Sequence, residues 1–288
     1  MSPDTSALRG IDVHTHIPRP PDMAPSPRAA QMAQYFRSPV MGMTVEQMVE
    51  LYRRLRLMAV VFDIDNTTTE NSRGVGNDYV AAVMRRFPDV LIGWATVDPW
   101  LGRAAVRELE RAVTELGLRG LKLHPITQAF FPDDRRFYPL WAKAEELGIP
   151  VIFHTGHTGV GAGAPGGTGL RLKYAHPMHL DDVAADFPNL TIIGAHPSWP
   201  WQDDMLSVAL HKANVYFDLS GWSPKYFSPS LIQYANTLLQ NKVLFGSDFP
   251  VISPERWLAD FAAAPFRDEV RPKILLENAR RVLGLAAS

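Results

Sequence analysis

Two histidines stand one residue apart near the start of the chain, within the stretch RGIDVHTHIP. The apolar neighbours indicate a buried strand, and alternate side chains of a strand share a face, so Asp12, His14 and His16 are predicted to point the same way. Burying three polar groups together costs several kcal/mol unless a partner satisfies them. A metal ion is such a partner, because zinc and related divalent ions accept imidazole and carboxylate ligands.

Further polar side chains stand at the ends of other apolar, β-branched runs. His154 ends the run VIFH, His196 follows TIIGA, Asp248 follows KVLFGS, and Lys122 and His124 lie two apart in RGLKLHP. If these runs are parallel strands of one barrel, their carboxyl ends meet at one rim. The set therefore predicts a divalent-metal site with polar groups around it, although no single member carries that prediction alone.

The elements that would position these residues repeat regularly along the chain. Eight apolar runs begin near residues 10, 58, 90, 119, 150, 190, 214 and 242, and helical patterns such as TVEQMVELYRRL lie between them. This alternation predicts an α/β fold, a single (β/α)8 TIM barrel over residues 1–288 with long loops at the C-terminal rim and extra C-terminal helices. The rival, an open doubly wound sheet, is expected to carry a glycine-rich phosphate-binding turn after the first strand, and DVHTHIPRPP has none.

Composition excludes several classes of site and partner. The chain has 288 residues, a net charge of −1 and no cysteine, which excludes disulfides, thiolate metal sites and cysteine nucleophiles. The near-neutral charge gives no indication of a nucleic-acid or membrane partner, and we expect a small-molecule substrate. A signal peptide and a membrane-length apolar run are both missing from the sequence, which predicts a cytoplasmic protein. Its tryptophans suggest packing between subunits of a homo-oligomer.

The motifs IDVHTH, VIFHTG, IIGAHP, VLFGSDFP and LLENARRVLGL resemble the amidohydrolase superfamily, in particular the branch that contains aminocarboxymuconate-semialdehyde decarboxylase and related benzoate decarboxylases. The resemblance implies one divalent metal ion, commonly zinc with manganese as the alternative. Its ligands would be His14, His16, His154 and Asp248. The resemblance also implies that His196 orients or deprotonates the metal-bound water, or transfers a proton to the substrate. Asp248 is predicted to be a catalytic residue as well as a metal ligand.

Two departures from this branch bear on the reaction. HPSWPW stands where many of these decarboxylases have His-Gly-Gly, and Lys122 stands on the fourth strand. In two-metal hydrolases of the superfamily a lysine at that place is carbamylated and bridges the ions, so a second metal with a carbamylated Lys122 is one alternative. The favoured arrangement has one metal and an unmodified, catalytic Lys122 that neutralises a substrate carboxylate or enolate as a point charge.

These departures favour a metal-dependent hydrolase that uses a metal-activated water on a carbonyl-adjacent C–C or acyl bond. Its substrate is expected to be a small aromatic or ring-cleavage carboxylate or a β-keto acyl compound. Two alternatives stay open, a non-oxidative decarboxylase of a hydroxybenzoate-like acid and a non-catalytic binding barrel. Basic and aromatic residues of the rim are predicted to bind the substrate. They are His124, Arg73, His157, Trp199 and Trp222.

Overall fold

The computed structural model describes residues 7–24 and 28–285. Their strand segments pair in parallel throughout. In chain order the segments are β1 (Gly10–His16), β2 (Leu57–Phe62), β3 (Leu91–Gly93), β4 (Ala95–Thr96), β5 (Leu121–Leu123), β6 (Val151–His154), β7 (Ile192–Ala195), β8 (Val215–Asp218) and β9 (Val243–Leu244). β3 and β4 are the two halves of one strand that is interrupted at Trp94, so the segments form eight strands of a barrel.

Backbone hydrogen bonds close the sheet into a barrel. The Val13 N–H donates to Phe245 O at 3.0 Å and the Asp248 N–H donates to His14 O at 2.9 Å, which joins β1 to the chain at and beyond β9. The interrupted strand is bonded on both sides, because the Trp94 N–H donates to Val61 O at 2.9 Å. The predicted (β/α)8 barrel is confirmed, and each strand begins within two residues of the position expected from the sequence.

Helices surround the barrel and lie between its strands. They are α1 (Ala29–Phe36), α2 (Val45–Leu55), α3 (Thr67–Glu70), α4 (Asn77–Arg86), α5 (Arg103–Thr114), α6 (Tyr138–Glu146), α7 (His179–Asp186), α8 (Gln202–His211), α9 (Pro229–Ala235), α10 (Pro254–Ala263) and α11 (Asn278–Val282). α2 begins at a capping box in which Thr44 and Gln47 satisfy each other's backbone N–H groups. α11 is the extra C-terminal helix, and none of the helices described is long and apolar enough to span a bilayer.

Two apolar layers hold the fold together. One fills the barrel and includes Ile11, Val60, Trp94 and Ile193, all at most 2% exposed. The other packs the outer faces of the strands against the helices. Burying a large aliphatic or aromatic side chain contributes roughly 1.5–3 kcal/mol, so these layers fix the barrel and leave polar groups concentrated at its C-terminal mouth.

A β-bulge in β1 corrects one expectation from the sequence. Asp12 pairs with Ala59 but Thr15 pairs with Val61, so β1 has one more residue than β2 between these pairs. The extra residue changes the alternation of side chains. Asp12 therefore faces α2, where its carboxylate accepts from the Tyr52 hydroxyl at 2.8 Å, while His14 faces the mouth of the barrel. The prediction that Asp12 shares a face with the two histidines is wrong.

Candidate active site

Three predicted metal ligands meet at the mouth of the barrel. His14 Nε2 and His16 Nε2 each lie 3.3 Å from Asp248 Oδ1, and the three donor atoms lie within 4.8 Å of one another. A four-coordinate ion with ligand distances of about 2.0–2.1 Å places neighbouring donors about 3.3–3.4 Å apart. The spacing of these side chains therefore fits a divalent metal ion.

The fourth predicted ligand, His154, lies beside this group at the end of β6. Its Nε2 is buried and has no hydrogen-bond partner among the described residues, whereas its Nδ1 lies 2.9 Å from His196 Nε2. A buried nitrogen without a partner costs about 1–3 kcal/mol, and coordination to an ion would remove that cost. His154 is outside the close set of three donors, but it lines the same cavity.

Hydrogen bonds beneath the ligands fix which ring nitrogens are free. His14 Nδ1 lies 2.9 Å from Asp218 Oδ2, and His196 Nδ1 lies 2.8 Å from Ser220 Oγ and 3.1 Å from Ser220 O. Since Asp218 accepts, His14 carries its proton on Nδ1 and keeps a lone pair on Nε2. His154 likewise donates from Nδ1 to His196, which donates from its own Nδ1 to Ser220. One chain of bonds thus directs two ligand nitrogens toward the mouth.

Asp218 and Ser220 were not singled out from the sequence, although Asp218 ends the strand run VYFD in the manner of the other site residues. The Asp218 carboxylate also accepts from the His196 N–H at 3.0 Å, the Ser220 N–H at 2.9 Å and Ser220 Oγ at 2.5 Å. With its oxygens so fully engaged, Asp218 orients His14 and does not itself compete for a metal. The neighbouring group of His14, His196 and Asp218 is therefore a hydrogen-bonded support.

Lys122 reaches the same group from β5. Its Nζ is buried, lies 3.2 Å from His14 Nε2 and stands 5.1 Å from the centre of the Phe62 ring. The lysine therefore donates to the nitrogen that carries the free lone pair. Burial lowers the pKa of Lys122 to about 8, although the nearby carboxylates of Asp218 and Asp248 favour its charged form.

Burial favours the neutral forms of His14, His124 and His154, and metal ligation requires neutral imidazoles. Burial lowers the pKa of His14 to about 3, with a further contribution from the Lys122 charge, and it lowers the pKa values of His124 and His154 well below the usual value. Burial alone would raise the pKa of Asp248, but hydrogen bonding to His16 and the surrounding imidazoles lower it below the usual range. The cluster thus presents neutral nitrogens and an ionised carboxylate.

Two site residues also adopt a backbone conformation that side chains other than glycine rarely take. His196 has φ of 73° and Asp248 has φ of 65°. Such residues cost of the order of 1 kcal/mol or more and persist where the surrounding structure requires them. Here the turns after β7 and β9 bring both side chains back over the barrel mouth.

Most of the predicted substrate-binding residues line one cavity of about 1020 Å³ above the cluster. His124 stacks on His154 with ring centres 3.9 Å apart, and His157 meets Trp199 edge to face at 5.5 Å. Trp222 lies 5.6 Å from Trp199 in the same wall. Arg73 is placed elsewhere. It is exposed and lines a second, smaller depression with Asp65, Asn77 and Glu108, because the loop after β2 carries it away from the mouth.

The sequence of the chain matches the amidohydrolase family over residues 11–285. The chain belongs to the amidohydrolase family. The match thereby confirms the family that the motifs of the chain predicted. This amidohydrolase is 24% identical over 243 residues to 2-amino-3-carboxymuconate-6-semialdehyde decarboxylase of Dictyostelium discoideum, which covers 73% of this chain and 65% of the relative. It is 30% identical over 198 residues to 2-keto-4-carboxy-3-hexenedioate hydratase of a Sphingobium species, covering 60% of this chain and 56% of that one. The amidohydrolase therefore spans somewhat less than two thirds of the length of these two relatives.

Solved structures share the fold of this amidohydrolase. An uncharacterised TIM-barrel protein from Bordetella bronchiseptica superposes with a TM-score of 0.79 at 27% identity, covering 96% of this chain and 99% of the other. A dihydroxybenzoic acid decarboxylase from a Polaromonas species, determined with bound manganese and the inhibitor 2-nitroresorcinol, superposes with a TM-score of 0.70 at 18% identity, covering 98% of both chains. At that identity the second likeness establishes the barrel alone.

Proposed function

We propose that the protein is a metal-dependent carboxy-lyase that removes carbon dioxide from a hydroxybenzoate-like acid. The observation that carries this proposal is the state of His196, both of whose ring nitrogens have protein partners. Hydrolysis needs a base beside the metal donors to take a proton from water, and His196 offers no free nitrogen for that task. Decarboxylation needs no activated water. The carboxymuconate-semialdehyde decarboxylase relative supports the same choice.

His14, His16, His154 and Asp248 would hold one divalent ion. When bound, the ion supplies a positive charge that binds and polarises the carboxylate and neighbouring hydroxyl of the substrate. Zinc is the ion proposed from the sequence, and the manganese in the Polaromonas decarboxylase supports manganese as the alternative, since nitrogen and oxygen donors suit both. We propose a single ion with an unmodified Lys122, because Lys122 lines the cavity as an ammonium that can face a substrate anion.

The chain's own residues would then balance the reaction. Lys122 places an ammonium charge near the substrate carboxylate and developing phenolate. The ring carbon that bears the carboxylate takes a proton from the Lys122 ammonium, which lines the same cavity. The bond between that carbon and the carboxylate breaks, carbon dioxide leaves, and the electron pair of that bond restores the aromatic ring. Lys122 then regains a proton from solvent. His124 holds its ring proton on Nε2, because its Nδ1 accepts from the Thr127 N–H at 3.4 Å, and so it would donate a hydrogen bond to the substrate. His157, Trp199 and Trp222 would form the walls for the ring.

Water-dependent cleavage is the second candidate. The relative named as a hydratase, which is 30% identical over 198 residues, supports water as a reactant, but a hydratase adds water across a double bond and does not cleave its substrate. In that case the substrate would be the β-keto acyl or ring-cleavage acid that the sequence favoured. A homo-oligomer stays a prediction under either reaction.

The proposed function is tested by carbon dioxide release from purified protein loaded with zinc or manganese. We expect release from 2-hydroxybenzoate or 2,6-dihydroxybenzoate, loss of release with a chelator, and loss of both metal and release in Asp248→Asn. Asp260→Asn is the matched control, because that carboxylate accepts from Ser223 Oγ at 2.6 Å and is not among the donors. Cleavage of a β-keto acyl compound without carbon dioxide release supports the second candidate instead, and activity that survives full chelation contradicts both.

A further inference from the structure

The cavity above the metal donors is larger and more apolar than a single hydroxybenzoate ring requires. At about 1020 Å³ it lies at the upper end of pockets that enclose drug-sized ligands, roughly 300–1,000 Å³. Polar groups lie at the floor, where the histidines, Lys122 and Asp248 stand, and the charged side chains of Arg19, Arg28, Glu70 and Arg256 also line the cavity. Much of the outer wall is apolar, so the two ends of the cavity suit different parts of one ligand.

Four methionines contribute to the apolar part of the cavity wall. The chain has 10 methionines, and four of them line this cavity within one short stretch between β1 and α2. They are Met23, Met32, Met41 and Met43, and each is only partly buried. Unbranched thioether side chains adapt to apolar ligands of irregular shape, and they are frequent on surfaces that bind such ligands. The adjoining Tyr35 is 47% exposed, so aromatic surface in this wall also has no protein cover.

Specific contacts hold this wall in place. Gln31 of α1 donates to Ala162 O at 3.1 Å and accepts from the Gly161 N–H at 3.2 Å, which ties the helix to the loop after β6. A Cβ atom at Gly159 would overlap the Phe36 ring, so only glycine allows α1 to approach this closely. Arg28 adds an ion pair with Glu70 at 2.6 Å. The outer chamber is therefore a built part of the site.

We propose that the substrate carries an apolar substituent of about four to eight carbon atoms, which binds between α1 and the loop after β6 while the acidic head binds at the metal donors. This inference rests on the proposed function for the chemistry of the head. It adds the class of substrate, an alkyl- or aryl-extended aromatic acid. The parent ring alone would leave the methionine wall in contact with water.

A series of 2-hydroxybenzoates with hydrogen, methyl, butyl or octyl at ring position 6 tests the substituent site. Affinity is measured by calorimetry on the metal-loaded protein, and carbon dioxide release is measured in parallel. Each buried methylene is worth about 0.8 kcal/mol, so we expect affinity to rise roughly two- to fourfold per methylene over the first carbons of the chain. Met32→Ser should flatten this rise, and Met178→Ser is the matched control, because Met178 is 46% exposed and does not line the cavity.

Gly159→Ala provides a second variant that removes no apolar surface. It should displace α1 and weaken the octyl ligand more than the parent. If affinity in the unaltered protein does not rise with substituent length, or if Met32→Ser and Met178→Ser change affinity equally, the substituent site is overturned. This holds whether or not carbon dioxide is released. A rising series without carbon dioxide release upholds the substituent site and contradicts the proposed decarboxylation. The two failures are therefore distinguishable.

Discussion

Replacing Asp218 by asparagine tests whether the hydrogen bonds beneath the metal donors set the state of His14. Three donors point at Asp218 Oδ1, so the carboxamide oxygen of Asn would take that place and its NH2 group would replace Oδ2. The NH2 group would then face His14 Nδ1, which now donates to the carboxylate at 2.9 Å. Two donors cannot bond to each other, so the ring proton would move to Nε2, the nitrogen that faces Asp248.

The size of the effect follows from these contacts. To bind a metal through Nε2, His14 in Asp218→Asn must keep its proton on Nδ1. That N–H then either has no partner or faces the NH2 group of the asparagine, in a fully buried position. A buried donor left without its partner costs about 1–3 kcal/mol. Since about 1.4 kcal/mol corresponds to tenfold, metal affinity should fall roughly 5- to 150-fold. Loss of a group that orients a metal-binding histidine typically lowers metal affinity 10- to 100-fold, which agrees with this range.

The assay is a titration of metal-stripped protein with zinc or manganese in competition with a chelating dye, with circular dichroism to check folding. Asp98→Asn is the matched control, because Asp98 is also a buried carboxylate, accepts from the backbone N–H groups of Thr68 and Trp100, and lies outside the donor set. The metal affinity of this control should stay within about threefold of that of the unaltered protein. Loss of a group that orients a metal-binding histidine lowers metal affinity at least about tenfold. A folded Asp218→Asn protein that binds metal normally would refute this account of the His14 ring. Equal losses in both variants would attribute the effect to general damage of the core.

Two further predictions concern the histidines. In His196→Asn the Nδ1 of His154 loses its partner, so both metal affinity, by about tenfold, and turnover should fall. If a dye titration shows unchanged metal affinity while turnover is lost, the result supports instead the proton-transfer role predicted from the sequence. In metal-stripped protein, burial holds the pKa values of His14, His124, His154 and His196 below the unfolded value, so the unfolded chain binds more protons below about pH 6.5 and stability is lost on acidification. Asp12, whose pKa is raised to about 7, opposes this by one proton, so these five groups together give a net slope of at most about 4.1 kcal/mol per pH unit. Urea unfolding at pH 7.5, 5.5 and 4.5 measures the slope, and stability that rises on acidification would contradict it.

The barrel, and the placement of the candidate metal donors at its mouth, could be predicted because both depend on patterns that repeat along the chain. Apolar runs at regular spacing require parallel strands, and parallel strands in a closed barrel bring their carboxyl ends together. This rule placed His14, His154 and Asp248 correctly in one mouth. It did not reveal the bulge at Asp12, because a strand with one extra residue reads in sequence like a regular one.

Residues whose roles depend on loop conformation or on partners far along the chain were harder to infer. Arg73 lies in a loop whose path no periodic pattern determines, and the structure places it outside the main cavity. Asp218 can be noticed in the sequence because it is a carboxylate at the end of a strand run. Its role follows only from the contact with His14, which lies 204 positions away in the sequence. The fit of Gly159 against Phe36 likewise depends on two loops that meet only in the folded protein.

The bulge in the first strand lets one short stretch of backbone serve two neighbours at once. On its outer side Asp12 joins Tyr52 of α2 to Ser247, and the residue after Ser247 is Asp248. On its inner side, two residues further on, His14 completes the donor set. We therefore expect cation binding and the docking of α2 to be thermodynamically linked through this stretch, and loading the ion should slow the exchange of amide hydrogens in a helix outside the donor set.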